Sequence, residues 1–271
     1  MIPTERQNPL FILSSLTAVI AGIVSFVGII NNQIYLPFTP EKLLPGAMSQ
    51  DIISLIASLG LLACLMTIKR GANRARLIWL GLTAYLFYAY ALYALDAIYN
   101  NFFLCYIAIV GLTIYTTILF FANVNLDFFQ RIEERQIPRK IIGIYLLFLA
   151  ALFYIVWLSQ IFSTIRSGVS SGINTVWVLD LAFFLPLLAI AAVLLFRRKL
   201  LGDLLAPVVL IKAGTLGFSV FLGELLKPYF GQILDPFMIG LFAVLSLGSL
   251  AFAGITFSRF GQLKPQNLVT Y

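Results

Sequence analysis

Four ionisable residues lie inside long apolar segments of this chain: Asp96, Asp180, Lys212 and Glu224. A charged side chain in the hydrocarbon core of a membrane is costly unless it is paired or solvated, so such residues are candidates for an ion or solute pathway. If Asp96 and Asp180 faced each other, like-charge repulsion would keep a proton on one of them. Asp51 and Asp235 lie at the ends of apolar segments, where water reaches them, and we set both aside.

Lys212 is the most deeply placed of the four, about 12 Å from the nearer end of its segment at 1.5 Å per residue. Thr215 and Ser219 share its face of the predicted helix. Glu224 lies more than three turns further along, so the partner of Lys212 must come from another helix. We predict that Lys212 and Asp180 share a polar cavity without a direct salt bridge, with Thr215 or Ser219 and water between them. The alternative is that Lys212 extends along its flexible stem to the headgroups.

Tyrosines accompany Asp96 along one stripe of its segment. Tyr85, Tyr88 and Tyr99 fall within about 80° of one another around the helix. Their hydroxyls are placed to donate to Asp96 or to line a polar entrance. Alternatively, Asp96 and Asp180 simply face the water of the headgroup region. The candidate ion or ligand pathway therefore consists of Asp96, Asp180, Lys212, Thr215, Ser219, Glu224, Tyr85 and Tyr88.

Several kinds of catalytic or metal chemistry are excluded by composition. The chain contains no histidine, which removes His-ligated metal sites, Ser-His-Asp triads and His proton shuttles. Cys64 and Cys105 both lie in apolar runs and are interpreted as small buried hydrophobes. No phosphate-binding glycine loop, HExxH, GxSxG or CxxC motif occurs. We therefore predict no catalytic residue, no metal and no cofactor.

The elements that position these residues are membrane-spanning helices. Of the 271 residues, 61% are hydrophobic and 11% are charged, against about 25% charged residues in soluble domains. A helix needs about 20 apolar residues to cross a bilayer. The sequence predicts an all-α, polytopic bundle forming a single transmembrane domain over 1–271. Trp79, Trp157 and Trp177 fall near span ends and are expected at the headgroups. The eight predicted spans are about 10–30, 50–68, 77–98, 103–123, 141–162, 175–196, 204–226 and 236–257.

The basic residues predict the orientation of the spans, because cytoplasmic loops carry the excess of lysine and arginine. One side of the predicted bundle receives 14 basic residues and the other receives three, Lys42, Arg166 and Lys227. We therefore expect both termini in the cytoplasm and the chain in the cell membrane. The 14 are Arg6, Lys69, Arg70, Arg74, Arg76, Arg131, Arg135, Arg139, Lys140, Arg197, Arg198, Lys199, Arg259 and Lys264.

Two segments carry a family resemblance. Residues 81–108 contain a Gly-Tyr-Tyr pattern that ends in an Asn and Phe-Leu-x-Tyr. Residues 176–214 contain Leu-Asp, a proline, a twin-basic turn, then Leu-Ala-Pro and a lysine. Together they resemble a family of uncharacterised prokaryotic multi-pass membrane proteins, which implies no activity. The resemblance implies that one recurring hairpin contains Asp180, Pro186, Gly202, Pro207 and Lys212.

Two functional classes remain open. The first is a carrier or channel for an ion or small solute, with its site between the third, sixth and seventh spans. The second is an accessory, assembly or sensor subunit that packs against another membrane protein or a second copy of itself. A membrane enzyme acting on lipids lacks a recognisable nucleophile and base. The lipid bilayer is the expected partner in every case, and nucleic acid is not.

Overall fold

Eight long helices account for most of the chain. The computed structural model describes residues 4–70, 72, 74–124, 137–168 and 173–259, and within these ranges no strand occurs. Arg131, Arg135 and Lys264 of the basic set lie outside the described residues. The helices are α1 (Thr4–Ile30), α2 (Leu44–Lys69), α3 (Ala75–Leu95), α4 (Phe103–Asn123), α5 (Arg139–Ser167), α6 (Asn174–Phe196), α7 (Leu200–Leu226) and α8 (Pro236–Arg259).

All eight helices within the described ranges are long and apolar enough to cross a membrane. The helix makes this possible because it satisfies its backbone hydrogen bonds internally, which lipid requires. The predicted all-α bundle of eight spans is therefore confirmed. The chain is a multi-pass membrane protein.

Two of the helix ends that differ from the sequence prediction have a clear local cause. α2 begins at Leu44, six residues before the predicted start, because Pro45 fits the first turn of a helix and pre-sets its backbone angle. α3 ends at Leu95 rather than near residue 98. Ala97 there has a φ of 56°, a left-handed backbone conformation that stops a helix.

The helix ends form two faces. Arg74, before α3, lies 6.0 Å from the ring centroid of Phe257 at the end of α8. The ends of α1–α4 that meet there line one small hollow through Leu10, Leu65, Trp79 and Phe120. We call this the basic face, because nine basic residues lie at or next to the helix ends on it: Lys69, Arg70, Arg74, Arg76, Arg139, Lys140, Arg197, Arg198 and Lys199. The other end of the bundle is called the opposite face.

α7 is the central helix of the bundle. It packs against α2, α3, α6 and α8, whereas α5 packs mainly on α6. The α3–α7 contact is close because Gly81 lies against Ile211. A Cβ at Gly81 would stand 2.7 Å from the Ile211 Cβ, nearer than two carbon atoms can approach. This contact holds the Lys212 region of α7 against α3.

α6 is irregular where the candidate site lies. It runs as α-helix over Asn174–Leu179, as a π-helical turn over Asp180–Phe184, and again as α-helix over Leu185–Phe196. Pro186, the second residue after this turn, has no N–H to continue the usual hydrogen-bond ladder. Turns of π-helix are rare in proteins, and those that occur are often found at functional sites. This turn places Asp180 at its beginning and Phe184 at its end.

Candidate functional site

A cavity of about 410 Å³ enters the bundle from the opposite face. It lies between α2, α3 and α5–α8, with the exposed residues Lys42 and Asp96 at its mouth. It also reaches Ser249 of α8, 13 residues after Pro236 and therefore about 20 Å along that helix. A hydrocarbon core is about 30 Å thick. The cavity thus passes the middle of the membrane-spanning region, and most of its wall is apolar.

Asp180 contributes a buried carboxylate to this cavity. Its side chain lies on the wall and the residue is 5% exposed. Each carboxylate oxygen accepts one hydrogen bond of 2.8 Å, Oδ1 from the Tyr88 hydroxyl and Oδ2 from the Trp157 indole N–H. Two donors from two other helices therefore fix the carboxylate. The prediction that Trp157 lies among the headgroups missed this role.

Lys212 lies behind the cavity wall and is 3% exposed. Its Nζ stands 3.1 Å from the ring centroid of Phe184 and 3.7 Å from that of Tyr88. A cation over an aromatic face is attracted by the ring quadrupole. Among the described residues, Nζ has no hydrogen-bond partner. Lys212 therefore does not extend to the headgroups, and Phe184 separates its ammonium from the cavity.

Tyr88 connects the two charged groups. Lys212 and Asp180 both lie in the described part of the chain, and no ion pair joins them. The Tyr88 ring faces the ammonium while its hydroxyl donates to the carboxylate. The prediction that Thr215 or Ser219 bridges the gap together with water is wrong for Thr215. Instead, Thr215 donates to the Ile211 carbonyl of its own helix.

The other small polar residues of the predicted site face the wall or α2. Ser219 lines the cavity and is buried, and its hydroxyl also interacts with that of Tyr85. Tyr85 is fully buried, accepts from Ser54 and lies 3.4 Å from the Gln50 carbonyl. We call Lys212 and Asp180 the lysine–aspartate cluster. Tyr85 is therefore directed to α2 and not to this cluster.

Asp96 lies at the mouth of the cavity, away from Asp180. Its carboxylate accepts a hydrogen bond from Thr175 at the start of α6. Partial burial raises the pKa of Asp96, and the Thr175 hydrogen bond opposes this shift. The predicted stripe of tyrosine donors to Asp96 is wrong, because Tyr88 bonds to Asp180 and Tyr99 is exposed. The helix ends one residue before Asp96, so the extrapolated stripe does not continue to it.

Glu224 also lies at the mouth, where it forms an ion pair with Lys227. The Lys227 Nζ is 2.7 Å from Glu224 Oε2, within one turn of chain. As the sequence predicted, Lys212 is not its partner. Both Glu224 and Lys227 line the cavity entrance, so a solute passing this point meets both signs of charge.

Asp51 is fully buried, so the prediction that water reaches it is wrong. It is 0% exposed, and its Oδ2 accepts a 2.8 Å hydrogen bond from Tyr35. Its Oδ1 lies 3.3 Å from the Tyr93 hydroxyl. The 3-10 turn Asn32–Tyr35 folds the connection after α1 back over the carboxylate and excludes the water expected there. Asp235, by contrast, is only partly buried and caps the start of α8, as its place at a span end predicts.

Tyrosine rings enclose Asp51. The Tyr35 and Tyr93 rings stack at 5.3 Å, and the Tyr106 ring lies 5.1 Å from that of Tyr93. Gly28 of α1 closes the remaining side. A Cβ at Gly28 would lie 2.6 Å from the Tyr35 hydroxyl oxygen and would overlap the Asp51 carboxylate. We call Gly28, Tyr35, Asp51, Tyr93 and Tyr106 the Asp51 cluster.

Replacing Gly28 by alanine is expected to destabilise the bundle by about 1–3 kcal/mol, because overpacking a closed site costs this much. Gly111→Ala is the matched control. Gly111 also lies within a helix, but nothing lies within 4 Å of its Cβ position, so the change there is expected to be neutral or slightly stabilising. Thermal unfolding in detergent micelles measures both variants. Equal midpoints for the two would contradict the described packing of α1 on Asp51.

An ion pair closes the basic-face end of α5 and α7. Arg139 Nε and Nη2 donate to Asp203 Oδ1 and Oδ2 at 2.8 and 2.7 Å, a bidentate arrangement. The two side chains are 15% and 6% exposed. Beside this pair, Gly143 packs against the Phe196 ring of α6. In the sequence, Arg139 is visible only as a topology signal, and no pattern singles out Asp203.

The site has no obvious place for a metal. Among the described residues, no group of three or more cysteine, aspartate or glutamate side chains could hold a metal ion. Asp180 already accepts two hydrogen bonds, and Asp51 is enclosed by tyrosines. The chemistry that the arrangement offers is therefore charge, hydrogen bonding and proton exchange.

The fold and the cavity define a multi-pass helical membrane protein. Its cavity opens at one face and extends past the middle of the membrane-spanning region, and the buried lysine–aspartate cluster lies beside it. No family model, curated protein or solved structure matches the chain. The resemblance to a family of prokaryotic multi-pass membrane proteins therefore stays a prediction.

Proposed function

We propose that this protein is a carrier for a small solute in the cell membrane, and that the solute binds in the cavity. The observation that carries the proposal is a mid-membrane cavity, open at one face, whose wall contains the Asp180 carboxylate with the Lys212 ammonium behind Phe184. Ligand sites are commonly cavities of about 300–1,000 Å³ with apolar walls and a few convergent polar groups. This cavity has both properties.

A carrier fits this geometry better than a channel. A channel needs a continuous pathway, whereas the described lining of this cavity includes no residue from the basic face. The Arg139–Asp203 pair and the Gly143–Phe196 contact close α5, α6 and α7 at that end. A carrier instead exposes its site to one side at a time. The described conformation corresponds to a carrier open at the opposite face.

The charges around the cavity favour a solute with no net charge. Three carboxylates and two lysines line the cavity and Lys212 lies behind Phe184, so neither sign is in large excess: Asp96, Asp180 and Glu224, and Lys42, Lys227 and Lys212. Apolar and aromatic side chains cover most of the wall. We therefore propose a neutral or zwitterionic solute with an apolar body.

The charge distribution also supports the orientation. Among the described residues, the basic face carries most of the lysine and arginine side chains, and such faces lie in the cytoplasm. Both termini are then cytoplasmic, and the cavity opens to the outside of the cell. This orientation would make the described state an outward-open carrier.

The test is transport by the purified protein in liposomes. Radiolabelled leucine and phenylalanine represent zwitterions with apolar bodies, glucose a polar neutral solute, and benzoate and phenethylamine the two ionic classes. We expect counterflow of at least one amino acid and none of the two ions. Asp180→Asn and Lys212→Met are expected to abolish this counterflow. Failure of every probe to move, or unchanged counterflow in both variants, would contradict the proposal.

Water access to the cavity is a separate prediction. In a Cys105→Ser background, Ser219→Cys places a thiol on the cavity wall and is expected to react with a small charged methanethiosulfonate in intact cells. A thiol reacts as its thiolate, which needs water. Ser58→Cys is the control, because Ser58 is buried on α2 away from the cavity. Ser258→Cys, exposed at the basic face, is expected to react only after the cells are permeabilised.

Labelling of Ser58→Cys at the same rate as Ser219→Cys would mean that the cavity does not direct water access. Labelling of Ser258→Cys in intact cells would reverse the proposed orientation.

A further inference from the structure

Asp51 is a buried carboxyl group that the lysine–aspartate site does not use. Within the described ranges, no lysine or arginine nitrogen lies within 4.0 Å of it. Its side-chain contacts are the hydroxyls of Tyr35 and Tyr93. An ionised carboxylate without a partner is strongly disfavoured in a membrane interior. The environment of Asp51 therefore favours the neutral acid.

The number of protons available to these hydrogen bonds also favours a protonated Asp51. The Tyr93 oxygen lies 3.1 Å from the Ala47 carbonyl and 3.3 Å from Asp51 Oδ1. A phenol carries a single proton and can donate fully to only one of these acceptors. If Tyr93 donates to Ala47, a proton on Asp51 Oδ1 completes the network by donating to the Tyr93 oxygen. Tyr35 still donates to Oδ2, so every group is satisfied.

Tyr93 and Ala47 also line the solute cavity, whereas Tyr35 and Asp51 do not. Tyr93 is therefore the wall between the carboxyl group and the water that enters from the opposite face. A proton can leave Asp51 in one concerted step. The Asp51 proton moves to the Tyr93 oxygen as the Tyr93 hydroxyl proton moves to cavity water, which leaves a carboxylate and an unchanged phenol.

We propose that Asp51 is a proton-binding site that exchanges its proton with the solute cavity through Tyr93 and so couples solute movement to a proton gradient. The coupling rests on the proposed carrier function, whereas the proton site itself does not. Closure of the cavity around a solute would remove the water that receives the proton. Asp51 would then keep its proton during the inward movement.

Other titratable groups near Asp51 do not replace it. Tyr35 faces it from the turn after α1, Tyr85, Tyr90 and Tyr93 face it from α3, and Tyr106 faces it from α4. α1 presents Gly28 at this point. The charged groups on the other elements packed against α2 lie elsewhere. Lys42, Glu224 and Lys227 line the cavity, and Glu41 is exposed next to Lys42 in the chain. Lys212 lies over the Tyr88 ring, and Arg76 and Asp203 lie at the basic face.

Infrared spectroscopy of the purified protein in lipid tests the proton site directly. At neutral pH, the wild type is expected to show the carbonyl band of a protonated carboxylic acid, and Asp51→Asn is expected to remove it. Asp235→Asn is the control, because Asp235 is only partly buried and lies at the start of α8, outside the Asp51 cluster. If Asp51→Asn leaves the spectrum unchanged, the proposed proton site is overturned, whether or not the protein transports a solute.

Two tyrosine variants separate the proton path from simple packing. Tyr93→Phe and Tyr35→Phe each remove one hydroxyl from the same carboxyl group, but only Tyr93 lines the cavity. We expect Tyr93→Phe to slow the deuterium exchange of the acid band and Tyr35→Phe to leave the exchange rate near that of the wild type. Equal slowing in both variants would assign the two hydroxyls a structural role and overturn the path.

Transport assays in liposomes test whether proton movement is coupled to solute movement. The probe is whichever of leucine and phenylalanine shows counterflow. When the outside of the liposomes is one pH unit more acidic than the inside, we expect about ten-fold accumulation of this probe inside at one proton per solute. Asp51→Asn is expected to abolish accumulation while counterflow continues, since exchange needs no net proton movement. Counterflow without pH-driven accumulation in the wild type would overturn the coupling and leave the carrier. The absence of all counterflow would instead reject the carrier.

Discussion

Arg139→Met is expected to lower the free energy of unfolding by about 3–5 kcal/mol, because it leaves the Asp203 carboxylate buried without its partner. Asp203 is 6% exposed on its side chain, and Arg139 meets both of its oxygens. The double variant Arg139→Met/Asp203→Leu is expected to recover most of the loss, since replacing a buried pair by apolar side chains is often neutral. Equilibrium unfolding in mixed micelles measures all three proteins.

The Glu224–Lys227 pair is the internal control for this prediction. Its 2.7 Å distance equals the shorter Arg139–Asp203 distance, but it is a single contact and its side chains are 14% and 24% exposed. Ion pairs that are more exposed contribute less than buried ones, so Lys227→Met is expected to cost less stability than Arg139→Met. A similar loss at both pairs would show that burial does not determine the effect. Full destabilisation of the double variant would show that Arg139 acts through contacts other than Asp203.

The spans could be predicted because the bilayer imposes a single length and polarity on every helix. The ends of the spans could not be predicted to the residue. Residues 44–49 extend α2 before its predicted start, since the proline at position 45 begins a helix as readily as it ends one. Helix ends depend on local backbone geometry, which hydrophobicity does not report.

The residue types of the candidate site were visible in the sequence, but their partners were not. Asp180 and Lys212 stand out because charge is rare in an apolar run. The contacts that define the site come from Trp157 on α5, Tyr88 on α3 and Phe184 on α6. Each of these aromatic residues is ordinary in a membrane helix. Which of them meets a charge is decided by the packing of several helices.

Asp51 and Asp203 show the limit of judging burial by distance along a helix. Asp51 lies seven residues into α2 and Asp203 three residues into α7, and both positions suggest contact with water. A folded-back turn that carries Tyr35 covers the first, and a guanidinium from α5 covers the second. These covers come from segments distant in sequence. No local pattern around either aspartate predicts them.

The lysine–aspartate cluster provides the second large effect. Asp180→Ala is expected to cost about 3–5 kcal/mol of stability, because it removes the nearby anion of Lys212 and the acceptor of two buried donors. Lys212→Met is expected to cost less, since Asp180 keeps its hydrogen bonds from Tyr88 and Trp157. Unfolding of the two single variants and the double variant completes a double-mutant cycle.

The cycle is expected to give a coupling energy of about 0.5–3 kcal/mol although the two charges form no ion pair. Tyr88 is the physical link, because its ring contacts the ammonium and its hydroxyl contacts the carboxylate. Repeating the cycle in a Tyr88→Leu background tests this link. If Tyr88 transmits the interaction, the coupling energy falls towards zero in that background. An undiminished coupling would mean that the charges interact directly across the protein, and Tyr88 would then only hold Asp180 in place.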